Sequence, residues 1–437
     1  MRVLLLTPGT GSFFCGSCLR DNELAMALRE LGHDASIAPL YLPFALEDMQ
    51  RPEANAEVHM GGINVYLQQK LRVMRHLPGF LARWIDSPRL LRFVARRANM
   101  TDASAHGAMT LSMLRGEEGR QLGELEKLVH WLQGLERPDV VILSNVMLVG
   151  LAHRIREVVG CPVLCTMQGE APFLDALKEP FRSQCWQELS KRAGHIERFL
   201  PVSRYTAELM GTRMGLSAEH MQVVPNGISL EAFEPAEREG QPVTIGYLAR
   251  MCHDKGLPLL VDAYLRLRQD LPGLRLLAGG VLLRSDEPLL AELEQRVHAA
   301  GAAADVEFRP NMTRAGKLQL LSECDLFSVP ATYGESFGLY LLEAMAVGLP
   351  VVQPRCGAFP EILEATQGGL LCEPDANSLA SALGILARDM PAARSMGERG
   401  RQSVLAGFSA KHMASEVARI AAECVARLET SKARNSG

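Results

Sequence analysis

The chain has 437 residues, 47% apolar and 22% charged, with a formal net charge of −4. That length exceeds one hydrophobic core and predicts two or three domains of ordinary α/β composition. The acidic balance gives no electrostatic basis for nucleic-acid binding, and no apolar run approaches the roughly eighteen residues of a spanning helix.

The opening run Val3-Leu4-Leu5-Leu6 predicts a buried first strand at 2–7, too short for a signal peptide. A loop follows, then a helix from near Cys18 to before Gly32 and a second strand at 35–40. Residues 45–135 interrupt this rhythm. It resumes with strand 140–143, a helix near 147–158, strand 163–166, a long helical stretch, and strands at 199–202 and 222–225. The polar segment Glu234 to Gln241 predicts a linker. Beyond it, strands are expected at 243–248, 274–278, 306–308, 326–330 and 350–353, with helices between them and a last helix at about 409–430. Apolar strands alternating with helices predict parallel sheets covered on both faces. Two such domains in tandem predict a cleft between the carboxyl ends of their sheets. The ten cysteines are scattered, which with no export signal predicts reduced thiols in a cytosolic protein.

The richest stretch is Tyr333 to Ala346. Glu335 follows an apolar strand, and Glu343 lies eight positions on, about two turns inside a helix predicted to start after Ser336. Backbone N–H groups near Phe337, Gly338 and Leu339 then form an anion site reinforced by the helix dipole, and Gly338 permits close approach. Glu343 is left to accept two neighbouring hydroxyls. A pyrophosphate flanked by two polyols, as in a nucleotide sugar, suits this arrangement. The string Gly-Glu-Ser-Phe-Gly-Leu-x-x-x-Glu-Ala resembles the signature of the family 4 glycosyltransferases, retaining enzymes of the GT-B fold.

The resemblance extends to other segments. Arg250 and Lys255 straddle a strand-to-helix turn, and a guanidinium and an ammonium suit a diphosphate. They match the family's Arg-x4-Lys-Gly, with Ala249 where a glycine is usual, which implies a diphosphate clamp whose partners come from the donor. The helix Leu24 to His33 matches a family pattern that aligns Cys15-Gly16 with a Gly-Gly pair, so Gly16 is expected on the donor-phosphate side. Thr166-Met167-Gln168-Gly169-Glu170 replaces the family's Thr-x-His-Gly. Gln168 can bond a sugar hydroxyl but cannot titrate, and Glu170 becomes an acceptor-side carboxylate. Pro225-Asn226-Gly227-Ile228 matches a turn expected to face the cleft through Asn226. The family's nucleobase segment corresponds to Arg309 to Met312. Cys356 to Ile362 resembles its Gly-x-Pro-Glu turn.

Two features stay open. Cys15-Gly-Ser-Cys18 reads as small cleft-lining residues, as a redox pair at a helix start, or as half a zinc site lacking its other ligands. From Lys70 to Arg97 there are eight Lys or Arg against Asp86, interleaved with apolar residues. This amphipathic basic segment reads as a helical lid with a wet face, as a patch for an anionic membrane surface, or as a patch for an anionic acceptor.

The resemblance therefore implies a GT-B protein. Its expected domains are an N-terminal Rossmann-like domain (1–233) with a helical insertion, a nucleotide-sugar domain (234–408), and a C-terminal helix (409–430) returning toward the first. It would transfer a sugar, with retention, from a nucleoside diphosphate sugar, expected to be a UDP-sugar, to an unspecified acceptor. Glu335 would hold the donor sugar, with Ser336, Phe337, Gly338 and Leu339 beside the diphosphate and Glu343 on the ribose. No Asp-x-Asp precedes a cleft strand, and neither metal nor other cofactor is expected. The expected location is cytoplasmic, peripheral on the inner membrane surface where 70–97 meets lipid. A non-catalytic nucleotide-sugar-binding relative and a sugar phosphorylase or epimerase of similar shape are the rival readings.

Overall fold

The computed structural model describes residues 1–9, 16–41, 103–235 and 242–435. The glycine-rich loop with Cys15, the basic segment 70–97 and most of the polar linker lie outside these. The chain divides into two compact units, Met1–Pro225 with Met413–Gly437, and Asn226–His412.

The first unit is built on a five-stranded parallel sheet of order β2-β1-β3-β4-β5. Its strands are β1 (Arg2–Thr7), β2 (Asp34–Pro39), β3 (Val140–Leu143), β4 (Val163–Met167) and β5 (Arg198–Pro201). Helix α1 (Gly16–Glu30) crosses from β1 to β2. The interruption predicted between β2 and β3 is helical where described, as α2 (Ala103–Leu114) and α3 (Leu122–Gly134). After β3 a 3-10 turn, Val146–Leu151, precedes α4 (Ala152–Val159), where one helix was expected; the Asn145 side chain accepts from Met147 N at 3.0 Å and fixes the tight turn. Helices α5 (Ala171–Asp175), α6 (Phe181–Arg192) and α7 (Arg204–Met214) complete the crossovers. Residues 222–225, expected as a strand, make two backbone bonds to β5, Gln222 N to Phe199 O and Val224 N to Pro201 O, with a single bridge at Met221. Pro225 lacks the N–H that a longer ladder would use.

The second unit has a six-stranded parallel sheet of order β11-β10-β9-β6-β7-β8. The strands are β6 (Thr244–Leu248), β7 (Arg275–Gly280), β8 (Val306–Pro310), β9 (Leu326–Phe327), β10 (Val351–Pro354) and β11 (Gly369–Cys372). Between them run α8 (Leu257–Asp270), α9 (Glu287–Ala299), α10 (Arg314–Ser322), α11 (Leu339–Ala346) and α12 (Phe359–Thr366), followed by α13 (Ala376–Arg388) and α14 (Met390–Gly407). β9 ends three residues before the expected boundary. Pro330 cannot donate to a ladder, and the chain bonds instead to a loop, Thr332 N to Asp254 O at 2.9 Å. β11, whose Gly-Leu-Leu-Cys gives little strand signal, is a short edge strand found only through its register with β10.

The last helix, α15 (Ala410–Asn435), starts in the second unit, where Ala410 N bonds Ile228 O at 2.8 Å. From Met413 it belongs to the first, and Lys432 Nζ bonds Gly160 O at 2.9 Å. Among the described residues no helix is long and apolar enough to cross a membrane.

The strand order makes β6 a switch point, with β7 on one side and β9 on the other. Loops leaving the carboxyl ends of two strands that diverge in this way lie side by side and leave a crevice for ligand. Two glycines lock the loops to their neighbours. Gly256 has φ +73°, and a Cβ there would lie 1.8 Å from Pro330 O. Gly280 has φ +145°, and its Cβ would lie 1.7 Å from Ala249 O. Gly256→Ala and Gly280→Ala should each destabilise the protein by about 3 kcal/mol, from backbone strain plus overpacking. Gly301→Ala, also at positive φ but with nothing within 4 Å, should cost only about 1 kcal/mol. Chemical-denaturation midpoints check this; equal losses at all three would mean that close approach contributes nothing.

Candidate active site

Strand β6 feeds the loop Ala249–Gly256. Tyr247, fully buried in β6, donates its hydroxyl to Arg250 O at 2.7 Å and fixes the loop's entry. Arg250 forms a two-pronged pair with Asp286: Nε to Oδ2 at 2.8 Å and Nη2 to Oδ1 at 3.1 Å. Lys255, at the other end of the loop, donates to Glu335 Oε2 and to the Tyr333 hydroxyl. The expectation that these cations find partners only in the donor is corrected here. Each rests on a carboxylate of its own unit, because a guanidinium or ammonium in a partly buried crevice needs a counter-charge when no ligand supplies one.

Glu335 sits on the loop after β9, 6% exposed. Its backbone is pinned by Gly357 at φ +57°, where a Cβ would lie 2.3 Å from Glu335 O and 2.4 Å from Glu335 N; Ala358 N donates to the same carbonyl at 2.9 Å. Three donors meet on one carboxylate oxygen. Besides Lys255, Tyr340 donates to Oε2 at 2.9 Å and Tyr333 at 3.1 Å. Both phenols are raised above the usual tyrosine range, first by burial and then by Glu335, so both stay protonated and donate. Lys255 Nζ also lies 5.0 Å from the centroid of the Tyr333 ring and 5.5 Å from that of Tyr340, within cation–π range. Among the described residues nothing donates to Glu335 Oε1.

Helix α11 begins at Leu339, not after Ser336, because Gly338 at φ +89° takes the left-handed cap position. Ser336 and Phe337 are therefore loop residues, and Glu343 lies one turn into the helix rather than two. The first-turn N–H groups at Leu339 and Tyr340 have no carbonyl one turn back within the helix. Phe337 is buried, its ring 6.4 Å from that of Phe408. Burial pushes the Glu343 carboxyl up, opposed by the charges of Lys317 and Arg314 on α10.

On the base-side segment, Arg309 is paired at 2.8 Å with Glu307 and at 2.7 Å with Glu323, so its guanidinium is held by surface carboxylates. Met312 packs over Gly279, where a Cβ would meet its methyl at 2.2 Å. Asn311 at φ +55° accepts from Leu282 N at 3.0 Å and closes the turn.

The remaining predicted residues lie on other elements. Gly16 is the exposed first residue of α1. Gln168 donates to Ser144 O at 2.9 Å and to Thr166 Oγ1 at 3.2 Å. Glu170, expected as an acceptor-side carboxylate, is buried and accepts from three backbone N–H groups, Gln168 and Gly169 at 2.9 Å and Val146 at 3.3 Å. It braces the turn after β4. Asn226 is buried with Oδ1 unpartnered, and Gly227 beside it packs on Ser409 O. Cys18 is buried with its sulfur 3.7 Å from Thr7 Oγ1, and its motif partner Cys15 lies outside the described residues. Among the described residues no group of three His, Cys, Asp or Glu is arranged to hold a metal.

Sequence reasoning missed Tyr333, Tyr340 and Asp286. Tyr340 carried a signal, a phenol in the first turn of the helix that follows Glu335. Asp286 carried none, lying 36 positions beyond Arg250.

Two family profiles match. The "Glycosyl transferase 4-like domain" covers residues 20–227, and "Glycosyl transferases group 1" covers residues 229–403. The MMP alpha-(1->4)-mannosyltransferase of Mycolicibacterium hassiacum is 29% identical over 247 residues, 55% of this chain and 58% of that protein. The phosphatidyl-myo-inositol mannosyltransferase of Mycobacterium tuberculosis is 34% identical over 172 residues, 38% and 43% of the two chains. The chain thus spans about half the length of these relatives. In fold it is similar to Anabaena Alr3699/HepE, solved in complex with UDP, with a TM-score of 0.71 at 17% identity over 97% of this chain and 100% of that one. Profiles that together cover residues 20–403, on two α/β units each with a parallel sheet, establish that the chain belongs to the family 4 type glycosyltransferases of the GT-B fold.

Proposed function

We propose that the protein transfers a hexose, with retention at the anomeric carbon, from a UDP-sugar to an acceptor. The observation that carries this is the single-sided loading of Glu335 beside the start of α11. One carboxylate oxygen is saturated by Lys255 and two phenols, while the other is left for the hydroxyls of a donor sugar. The diphosphate would lie at the N–H groups of Phe337 to Leu339, where backbone donors and the helix dipole favour negative charge. Arg250 and Lys255 would exchange their internal carboxylates for its oxygens and stabilise the leaving group. These charges do the work that a divalent ion does elsewhere, so the reaction is proposed to be metal-independent. Glu343 would accept from the ribose and Arg309 to Met312 would flank the base. Gly16 is proposed for the donor phosphate, and Gln168 and Asn226 for the acceptor. The UDP assignment leans on the UDP held by the Anabaena neighbour; the acceptor is unassigned.

A melting-temperature panel of UDP-glucose, UDP-galactose, ADP-glucose and GDP-mannose tests the donor. A ligand at a hundred times its Kd adds about 2.7 kcal/mol to the native state, so UDP-sugars should raise Tm by several degrees while the others leave it unchanged. A rise with GDP-mannose alone would replace the base, and no rise with any would defeat the donor site.

The two glutamates should separate. Glu335→Gln should lower kcat at least a hundredfold without weakening nucleoside-diphosphate binding, because the carboxylate serves the sugar in the transition state and its loss frees Lys255. Glu343→Gln should weaken the donor and the free nucleoside diphosphate together. The reverse pattern would turn the donor round in the site.

Turnover should persist in excess chelator. Complete loss, restored by magnesium or manganese, would transfer the leaving-group role from Arg250 and Lys255 to a metal.

A further inference from the structure

Lys255 has two tasks that draw it in different directions. In the structure it neutralises Glu335, and in the proposed reaction it must also face a diphosphate, which carries more charge than one carboxylate. An ammonium has three N–H groups, and two are already spent on Glu335 and Tyr333. As Lys255 turns toward the diphosphate, Glu335 loses its cation while a second anion arrives nearby. Something else must then hold the carboxylate in its orientation.

The two phenols differ in fitness for this. Tyr333 lies on the same loop as Glu335, and its oxygen accepts from Lys255 while donating to the carboxylate, so its position is tied to the lysine. Tyr340 is carried by α11, in the first helical turn, and its hydroxyl has Glu335 Oε2 as partner at 2.9 Å. Its ring lies over Gly338, where a Cβ would approach Tyr340 Cζ to 3.2 Å, and 6.5 Å from the buried Phe327 ring. It is a neutral donor, so it steadies Glu335 without adding a charge that would compete for the diphosphate.

We propose that Tyr340 is the positioning residue of this site, retaining Glu335 Oε2 when Lys255 engages the diphosphate so that Oε1 alone is presented to the donor sugar. This rests on Glu335 being the sugar-facing carboxylate. Tyr340→Phe removes one oxygen and keeps the ring that packs on Gly338, so the fold and the diphosphate site remain. In the full chain, with the nucleotide sugar selected by the melting panel, kcat should fall about tenfold or more. The donor KM and the Kd for free UDP should stay within about twofold, a split that a merely structural residue would not produce. On a Glu335→Gln background the same change should cost less than about twofold, because its effect passes through the carboxylate already removed. An unchanged kcat, equal losses on both backgrounds, or a parallel loss of UDP affinity would each overturn the role. A Glu335→Gln variant that itself turns over normally would instead defeat the donor-site reading, and that result is read before Tyr340 is touched.

Discussion

The Lys255–Glu335 pair is the contact on which the second unit's site depends. It joins the loop after β6 to the loop after β9, strands that are neighbours in the sheet though about eighty residues apart in the chain. The pair is 22% exposed on the lysine side and 8% on the glutamate side. At that depth removing one partner leaves an uncompensated charge that costs far more than a surface ion pair is worth. The glycines around it follow from the same constraint. Gly256 lets the first loop reach Pro330, and Gly357 lets a third segment close on the Glu335 backbone. A side chain at either position would move one end of the pair relative to the other.

A second carboxylate plays the same part for Arg250. Asp286 precedes α9 and meets the guanidinium with both oxygens, the geometry a phosphate would use. If the proposed diphosphate clamp holds, both cations are positioned in advance, and their side-chain entropy is lost in folding rather than on binding. The counterweight is that a ligand must displace an existing pair. Affinity then reflects the difference between diphosphate and carboxylate at each cation, not the full strength of a new contact.

How much of this was legible depends on which physical signal each part leaves in sequence. Buried parallel strands such as Val3–Leu6 and Val140–Leu143 announce themselves as short apolar runs, and the alternation of strand and helix fixes the class. Glu335, Lys255 and Gly338 were legible as candidates because the proposed chemistry asks for those residue types at that spacing, and the fold joins Lys255 to Glu335 and caps the helix with Gly338. The ends of elements were not. The start of α11 at Leu339 depends on the sign of one φ angle at Gly338, and the early end of β9 depends on a bond from Thr332 to Asp254 in a distant loop. Partnerships were the least legible. Nothing local in the sequence says that Asp286 belongs to Arg250, or that two tyrosines share an oxygen with a lysine, because those contacts are made by strand order.

The carboxyl ends of the first unit's strands show what an exhausted polar group looks like. Asp21 accepts from Arg20 Nη1 at 3.0 Å on one oxygen and from Ser144 on the other, and burial raises its carboxyl. Thr166 and Gln168 both donate to Ser144 O, and Glu170 spends its two oxygens on three backbone N–H groups. A carboxylate satisfied in this way stiffens its loop and has little capacity left for a ligand. Glu335 is as deeply buried, yet among the described residues all its side-chain bonds converge on one oxygen. Burial is alike in the two glutamates. The distribution of donors between two oxygens separates the brace from the candidate catalytic group, and that distribution is set by where the surrounding strands place a lysine and two phenols.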